Sequence, residues 1–445
     1  MPKGFWFNRH IEYWSLPEPE QVLDHVRRAK IQVVQIGNYG PDFYSLTADS
    51  ELARHWSGMP LVGVEGNLAK ASELVPLIQA EGAKVVGQIS MTMHFGDEEK
   101  GVGLFGPAWD AMWEVLGTPP CSGIAECLQR ESDGSLRRTL IEGRPHFTYR
   151  GCISNPLWIA VLISMADKGL EIGLDGFNAT HNYESLCHCT HCSEYLKVRM
   201  VAEGEFSSTD IRELFGERDL SNVENPFDPL EDSPEDLCLR HERAVRHASA
   251  WKRKEAFDEV FMTHGRSVNA DLIVAQWYHK YDIRVNDERG GLPSSMWGKD
   301  EDYIWYSQGP YKWGSSIDQG YLADMGLPSR FMHAAGGGRP FVVNKYDYRR
   351  WRIWAAEAIA HGGAALSYHA GPPRLDQEEA SGIAPEDYYG PVIRYQRFMA
   401  NNESLLHPAD PWSQVGLVYP RRQEREGSDL ACVEPLKRLG EDLED

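Results

Sequence analysis

Glu171-Ile-Gly-Leu-Asp-Gly-Phe-Asn-Ala-Thr180, followed closely by Cys187-His-Cys-Thr-His-Cys192, is the stretch from which the fold can be read. The first run reads as a buried strand, mostly apolar from Ile172 to Phe177 apart from Asp175, that ends in polar residues where it leaves the sheet. The thiols therefore stand on a loop just beyond a strand tip. In barrels of parallel strands, that is the end at which chemistry is placed.

Three thiols with gaps of one and two residues can converge on one metal ion. Zinc suits them, since it takes thiolates tetrahedrally, and a closed four-ligand site leaves no position for a substrate, so its role is expected to be structural. The fourth ligand is to be drawn from His188, His191 or a distant thiol. Cys152, in Tyr149-Arg-Gly-Cys-Ile-Ser-Asn-Pro156, is the best placed, because it precedes the helix leading into the same strand. The spacing also admits a disulfide or redox pair, or reduced thiols without a ligand. Cys121, Cys127, Cys238 and Cys432 show no such grouping and read as small apolar residues.

Outward from this stretch, short apolar runs alternate with amphipathic ones to about residue 405, the pattern of repeated strand and helix units on a parallel sheet. Eight strands are expected: Gly4 to Phe7, Ile31 to Ile36, Lys84 to Ile89, Ile172 to Phe177, Leu272 to Gln276, Tyr303 to Tyr306, Arg330 to His333 and Ala364 to Tyr368. With no early Gly-x-Gly-x-x-Gly, the count favours a closed (β/α)8 TIM barrel over a doubly wound sheet. The barrel would span residues 1–405, with long insertions at about 95–150 and 200–236. Residues 406–445 read as a linker and the start of a small C-terminal α/β segment.

A chain of 445 residues with 42% apolar residues can bury such a core. Its 45 basic and 66 acidic residues give a net charge of -21, which argues against nucleic acid and anionic membrane surfaces as partners. No apolar run reaches the length of a membrane span, and Met1-Pro-Lys-Gly-Phe-Trp6 lacks the apolar region of a secretory signal, so a cytoplasmic protein is expected. A homo-oligomer is left open.

Histidine recurs just beyond six of the expected strands: His10, His94, His181, His279, His333 and His369. Together they describe a pocket mouth able to bond hydroxyls, carry protons or hold a metal. Taken singly, each is an ordinary pocket-wall histidine. Asn178, Gln308 and Trp277 fall at the same level, with Trp305 and Trp313 near the next exit. Amides, imidazoles and indoles in such number suit a polyhydroxylated ligand, and an indole can serve as a platform for a sugar ring. Hydrolysis of a glycoside also calls for two carboxyl groups, about 5 Å apart for retention and about 6.5–9.5 Å for inversion. Asp175 is the acid inside the expected fourth strand, with Glu65 and Asp347 as the further candidates. Asp175 has a competing role as a loop anchor through backbone N–H groups, and Asp347 another as a helix N-cap.

The chain resembles the barrel domain of family 42 beta-galactosidases and related hypothetical glycosyl hydrolases. Cys187, Cys189 and Cys192 are similar to that group's zinc motif, and Cys152 to its earlier ligand. His94-Phe-Gly-Asp97, the Asp175-Gly176 pair, Ala356-Glu-Ala-Ile-Ala-His-Gly-Gly363 and Val415-Gly-Leu-Val-Tyr419 are also similar. The resemblance implies a barrel, structural zinc and a carbohydrate substrate. It does not carry over the acids: the family places Glu after Asn at the fourth strand exit, where this chain has Asn178-Ala-Thr180 and His181, and Tyr306-Ser-Gln308 stands where a late Glu is expected. The histidine-rich exits are loosely similar to those of alpha-L-fucosidases. The leading expectation is a glycoside hydrolase with non-standard catalytic residues. A sugar-binding relative without activity, and a metal-dependent hydrolase or lyase built on the exit histidines, are the alternatives.

Overall fold

The computed structural model of the chain describes residues 5–13, 16, 18–37, 39, 64–103, 105–140, 147–182, 185–202, 206–279, 296–307, 325–344, 351–367 and 385–406. In chain order the strands are β1 (His10–Tyr13), β2 (Val33–Ile36), β3 (Lys84–Ser90), β4 (Met93–Asp97), β5 (Val102–Gly103), β6 (Arg138–Leu140), β7 (Phe147–Arg150), β8 (Gly176–Thr180), β9 (Ile273–His279), β10 (Tyr303–Ser307), β11 (Phe341–Asn344) and β12 (Ala364–Ala365). The principal helices are α1 (Pro19–Ala29), α2 (Val64–Ala80), α3 (Pro107–Leu116), α4 (Pro156–Glu171), α5 (Thr190–Ala202), α6 (Ser208–Phe215), α7 (Glu235–Phe257), α8 (Gly326–Ala335), α9 (Trp351–Ala360) and α10 (Pro385–Asn401). Among the described residues no helix is long and apolar enough to cross a membrane.

β1, β2, β3, β8, β9, β10, β11 and β12 form one sheet in that order, and each neighbouring pair is parallel. Parallel neighbours require crossover connections, which the interleaved helices provide. The ring closes where Glu12 N donates to Ser367 O at 2.8 Å, just beyond β12. Following the paired residues once around the ring gives the eight-residue shear of (β/α)8 barrels. The chain is a TIM barrel.

Alternation of side chains along each strand divides the core in two. Val33, Val86, Ile273, Ala275, Trp277, Tyr303, Trp305, Val342, Ala364 and Leu366 fill the interior. Ile11, Val34, Ile36, Val85, Ile89, Phe177, Val274, Ile304 and Val343 face outward into the layer of helices. Phe7 closes the N-terminal end of the interior, edge-on to Tyr303 at 5.2 Å. This explains why the expected strand Gly4 to Phe7 is displaced to β1: the apolar run is a plug below the barrel.

Two further expectations move. The fourth barrel strand begins at Gly176 rather than Ile172, because residues 172–175 form the turn after α4. A Cβ on Gly176 would stand 1.9 Å from Ile273 O, so only glycine lets β9 approach there. The expected seventh strand, Arg330 to His333, lies inside α8, and the strand is β11. Gly336-Gly-Gly338 ends that helix, and the Phe-Val-Val run after Pro340 is the part fully buried.

Between β3 and α4 stands an antiparallel sheet of order β5-β4-β7-β6. It is tied to the barrel by Met91 N to Thr180 O at 2.8 Å and Gly151 N to Thr92 O at 2.7 Å. Between β8 and β9, helices α5, α6 and α7 share a third apolar cluster with Leu186, Leu196, Met200, Ile211 and Ala248. α6 starts on a reciprocal cap, Ser207 Oγ accepting from Asp210 N at 3.2 Å and Asp210 Oδ2 from Ser207 N at 2.7 Å.

Candidate functional site

The barrel interior turns from apolar to polar toward the C-terminal ends of its strands. Gln35 follows Val33 on the inward face of β2, Gln88 and Ser90 follow Val86 on β3, and Asn178 pairs in register with both Gln88 and Ala275. His10 pairs with Val33 and Glu12 with Gln35, so both point inward from β1. All are buried. Glu12 is the inward-facing carboxylate among the described residues, and the sequence reading missed it. The signal was present as the period-two alternation of His10-Ile-Glu-Tyr13, polar inside and apolar outside.

Asn178 Nδ2 donates to Gln35 Oε1 at 3.1 Å. Gln35 Nε2, Gln88 Oε1, Asn178 Oδ1, Tyr303 OH and Trp305 Nε1 are buried with no hydrogen-bond partner among the described residues. Native interiors rarely leave such atoms unmatched, and a cluster of them marks a place for bound water or ligand. Burial pushes His10 down to about 3, outweighing the opposite pull of neighbouring Gln35, so the imidazole is neutral at ordinary pH. Burial first, and the Glu12 carboxylate second, drive the Tyr303 phenol well above its usual range.

One wall of this space is aromatic. His181 meets Trp277 edge-on at 5.3 Å, and Trp277 meets Trp305 at 4.8 Å. His181 has φ 51, a left-handed backbone that a non-glycine residue adopts at a cost and keeps where the surroundings enforce it. The surroundings are specific. Thr92 Oγ1 donates to His181 O, and His181 Nδ1 is bonded to Thr180 Oγ1 at 3.0 Å. Asn182 Nδ2 donates to Gln276 Oε1 at 3.2 Å, while Gln276 Nε2 donates to Ala179 O at 3.0 Å.

Of the residues expected at the mouth, His181 and Trp277 meet there, while Asn178 lies deeper, within β8 and bonded to Gln35. His10 lies inside β1, within the barrel rather than beyond its first strand. His333 is in the last turn of α8, the helix that leads into β11, and so belongs to the N-terminal end. Asp175 also lies at that end, immediately before β8. Its Oδ2 accepts from Val85 N and Gln79 Nε2, both at 2.9 Å, and its Oδ1 from Lys84 Nζ at 2.7 Å. It anchors strands and helix, away from the mouth. Glu65 is exposed in the first turn of α2, where a carboxylate favours the helix dipole. His94 and His279 fall on β4 and β9. Gln308, Asp347 and His369 lie outside the described residues.

The thiols form a second site. Cys152 Sγ stands 3.5 Å from both Cys189 Sγ and Cys192 Sγ, and Cys187 Sγ stands 3.8 Å from Cys152 and 3.7 Å from Cys192. All four sulfurs lie within 4.8 Å of one another, and such a group can hold a metal ion. Cys152 is placed by the Asn155-Pro156 start of α4, where Asn155 Oδ1 caps Leu157 N at 3.0 Å. Cys192 is placed by the first turn of α5.

No protein-family model matches the chain, and no curated protein matches it. Solved structures are similar at low level. A cycloisomaltooligosaccharide glucanotransferase from a Paenibacillus species is 8% identical over 76% of this chain, with a TM-score of 0.39. A cyclic alpha-maltosyl-(1→6)-maltose hydrolase from Arthrobacter globiformis is 13% identical over 88%, with a TM-score of 0.41. An alpha-galactosidase from Thermus thermophilus is 12% identical over 93%, with a TM-score of 0.41. The chain spans 38%, 75% and 64% of those proteins.

Proposed function

We propose that the barrel is a carbohydrate-active hydrolase that cleaves a glycosidic bond, with Glu12 as one of its two working carboxyl groups. One observation carries this most: the buried, uncharged, unmatched polar atoms of Gln35, Gln88 and Asn178 gathered around Glu12 inside the barrel. Neutral amides match the donors and acceptors of sugar hydroxyls without demanding a charged ligand. Trp277, held edge-on by His181, offers an apolar face to a ring. His10, neutral and buried beside Gln35, fixes the floor of the cup rather than carrying protons.

Hydrolysis of this kind sets two carboxyls on either side of the scissile bond, one protonating the leaving oxygen and the other stabilising or attacking the anomeric carbon. Asp347, three residues beyond Asn344 of β11 in the chain, is the second carboxyl in this proposal. A panel of aryl glycosides tests it. Glu12→Gln is expected to lower kcat/KM by about a hundredfold or more at unchanged melting temperature. If no aryl glycoside is turned over while calorimetry shows sugar binding, the chain is a sugar-binding relative and the hydrolytic proposal fails.

We further assign the four thiols to structural zinc. Four sulfurs placed tetrahedrally about zinc at ~2.3 Å are separated by ~3.8 Å, and the closest separations here are 3.5 to 3.8 Å, with every thiol free of a disulfide. A zinc bound by four thiolates has no open position. Its work would be to clamp the segment after β8 to the segment before α4, on which His181 and the mouth depend.

A further inference from the structure

Cys121 and Cys127, which show no grouping in the sequence, are brought together by the fold. Their sulfurs stand 3.3 Å apart, nearer than the 3.5 Å contacts of Cys152 in the four-thiol cluster, and both are free. Cys121 is half-exposed, while Cys127 is fully buried behind it at the end of the short 3-10 turn Ile124–Cys127. Cys121 Sγ also reaches Gly123 O at 3.3 Å, so its position is held by the same turn. Gly123 lies between the two with open space about it, which leaves the backbone room to adjust. Cys121 is therefore the thiol that a small oxidant can reach, with Cys127 enclosed behind it.

We infer that Cys121 and Cys127 form a second thiol site, a dithiol that closes to a reversible disulfide when a peroxide or a small disulfide oxidises it. With peroxide, the Cys121 thiolate attacks one peroxide oxygen and the O–O bond breaks, leaving a sulfenic acid and a hydroxide that takes up the proton Cys121 had shed to become water. Cys127 Sγ then attacks that sulfur. The S–S bond forms, the S–O bond breaks, and the oxygen leaves as a second water with the Cys127 proton. Two thiols have lost two electrons to one peroxide. The closure needs the sulfurs to approach to about 2.0 Å, a short movement from their present contact. Cys127 O accepts from Cys152 N at 2.9 Å, so the bridge forms one hydrogen bond away from the four-thiol knot.

The test is differential alkylation of the full chain during exposure to hydrogen peroxide, read by peptide mass. Trypsin releases residues 101–130 as one peptide with Cys121 and Cys127 as its cysteines. The expected result is paired loss of both thiols, a peptide two mass units lighter, full recovery with dithiothreitol, and loss about tenfold faster than at Cys238, a half-exposed thiol without a sulfur neighbour among the described residues. Cys127→Ser should leave Cys121 as a sulfenic acid captured by dimedone, and Cys121→Ser should leave Cys127 alkylatable under the same exposure. A peptide that keeps both thiols after Cys238 is oxidised would overturn the assignment, as would over-oxidation of Cys121 alone or its pairing with another cysteine. Should the buried substitution unfold the chain, the wild-type map and Cys121→Ser decide the question.

Discussion

Glu12 and His10 are two inward residues of one strand with opposite consequences. Glu12 carries the chemistry in the proposed reaction, while His10 carries a pH dependence that belongs to stability. The His10 ring is held neutral down to about pH 3, whereas an exposed histidine takes its proton near 6.5. Between those values the unfolded chain binds a proton that the native chain refuses, so stability falls as pH falls through this window and is unaffected above it. The loss grows by ~1.4 kcal/mol per pH unit below 6.5 and reaches ~5 kcal/mol only as pH approaches 3, where the folded ring takes its proton too. Urea melts of wild type and His10→Gln from pH 7 to 3.5 should show a shallower decline in the variant. Parallel declines would mean that His10 is not the group responsible. The carboxylate of Glu12 is not among the sequence candidates because the first strand was expected at Gly4 to Phe7, which leaves Glu12 outside it.

At the scale of elements, the Asp175-Gly176 pair serves the start of β8 and not its end. Asp175→Ala removes a carboxylate bonded to Val85 N, Gln79 and the exposed Lys84, and should cost ~2 kcal/mol in stability with kcat/KM unchanged. A loss of activity out of proportion to the loss of stability would return Asp175 to the chemistry. Gly176→Ala forces a methyl against Ile273 O and should destabilise by ~2 kcal/mol or more, read as a lowered melting temperature. The strands legible in sequence were those with apolar side chains on both faces, as in Ile273-Val-Ala275 or Val85-Val86. β1 was not legible because its inward face is polar. β11 was missed because the amphipathic helix α8 before it imitates a strand over Arg330 to His333. His181 and Trp277 fall toward the strand ends because β8 and β9 were legible, Asn178 lies inside β8, and His333 moved with its strand.

At the scale of the whole molecule, the barrel carries two excursions on the same rim, and the four thiols join them. Cys152 comes from the end of the first, and Cys187, Cys189 and Cys192 from the start of the second. Metal analysis should find one zinc per chain, and Cys192→Ser should abolish it. Removal of the metal should lower the melting temperature by several degrees and raise proteolysis between β8 and α7. If chelation changes neither, the thiols are a packed reduced cluster.

The hydrogen bond from Glu12 N to Ser367 O is the seam at which the first and last staves of the ring are joined. The residue whose amide fastens that seam also points its carboxylate into the barrel, so in the proposed reaction grip on the sugar and tightness of the hoop would be borne by one position. Occupancy of the cup should therefore slow hydrogen–deuterium exchange at the Glu12 amide more than at the amides of β2 or β11. A cooper would expect the same of a rivet set in the last joint.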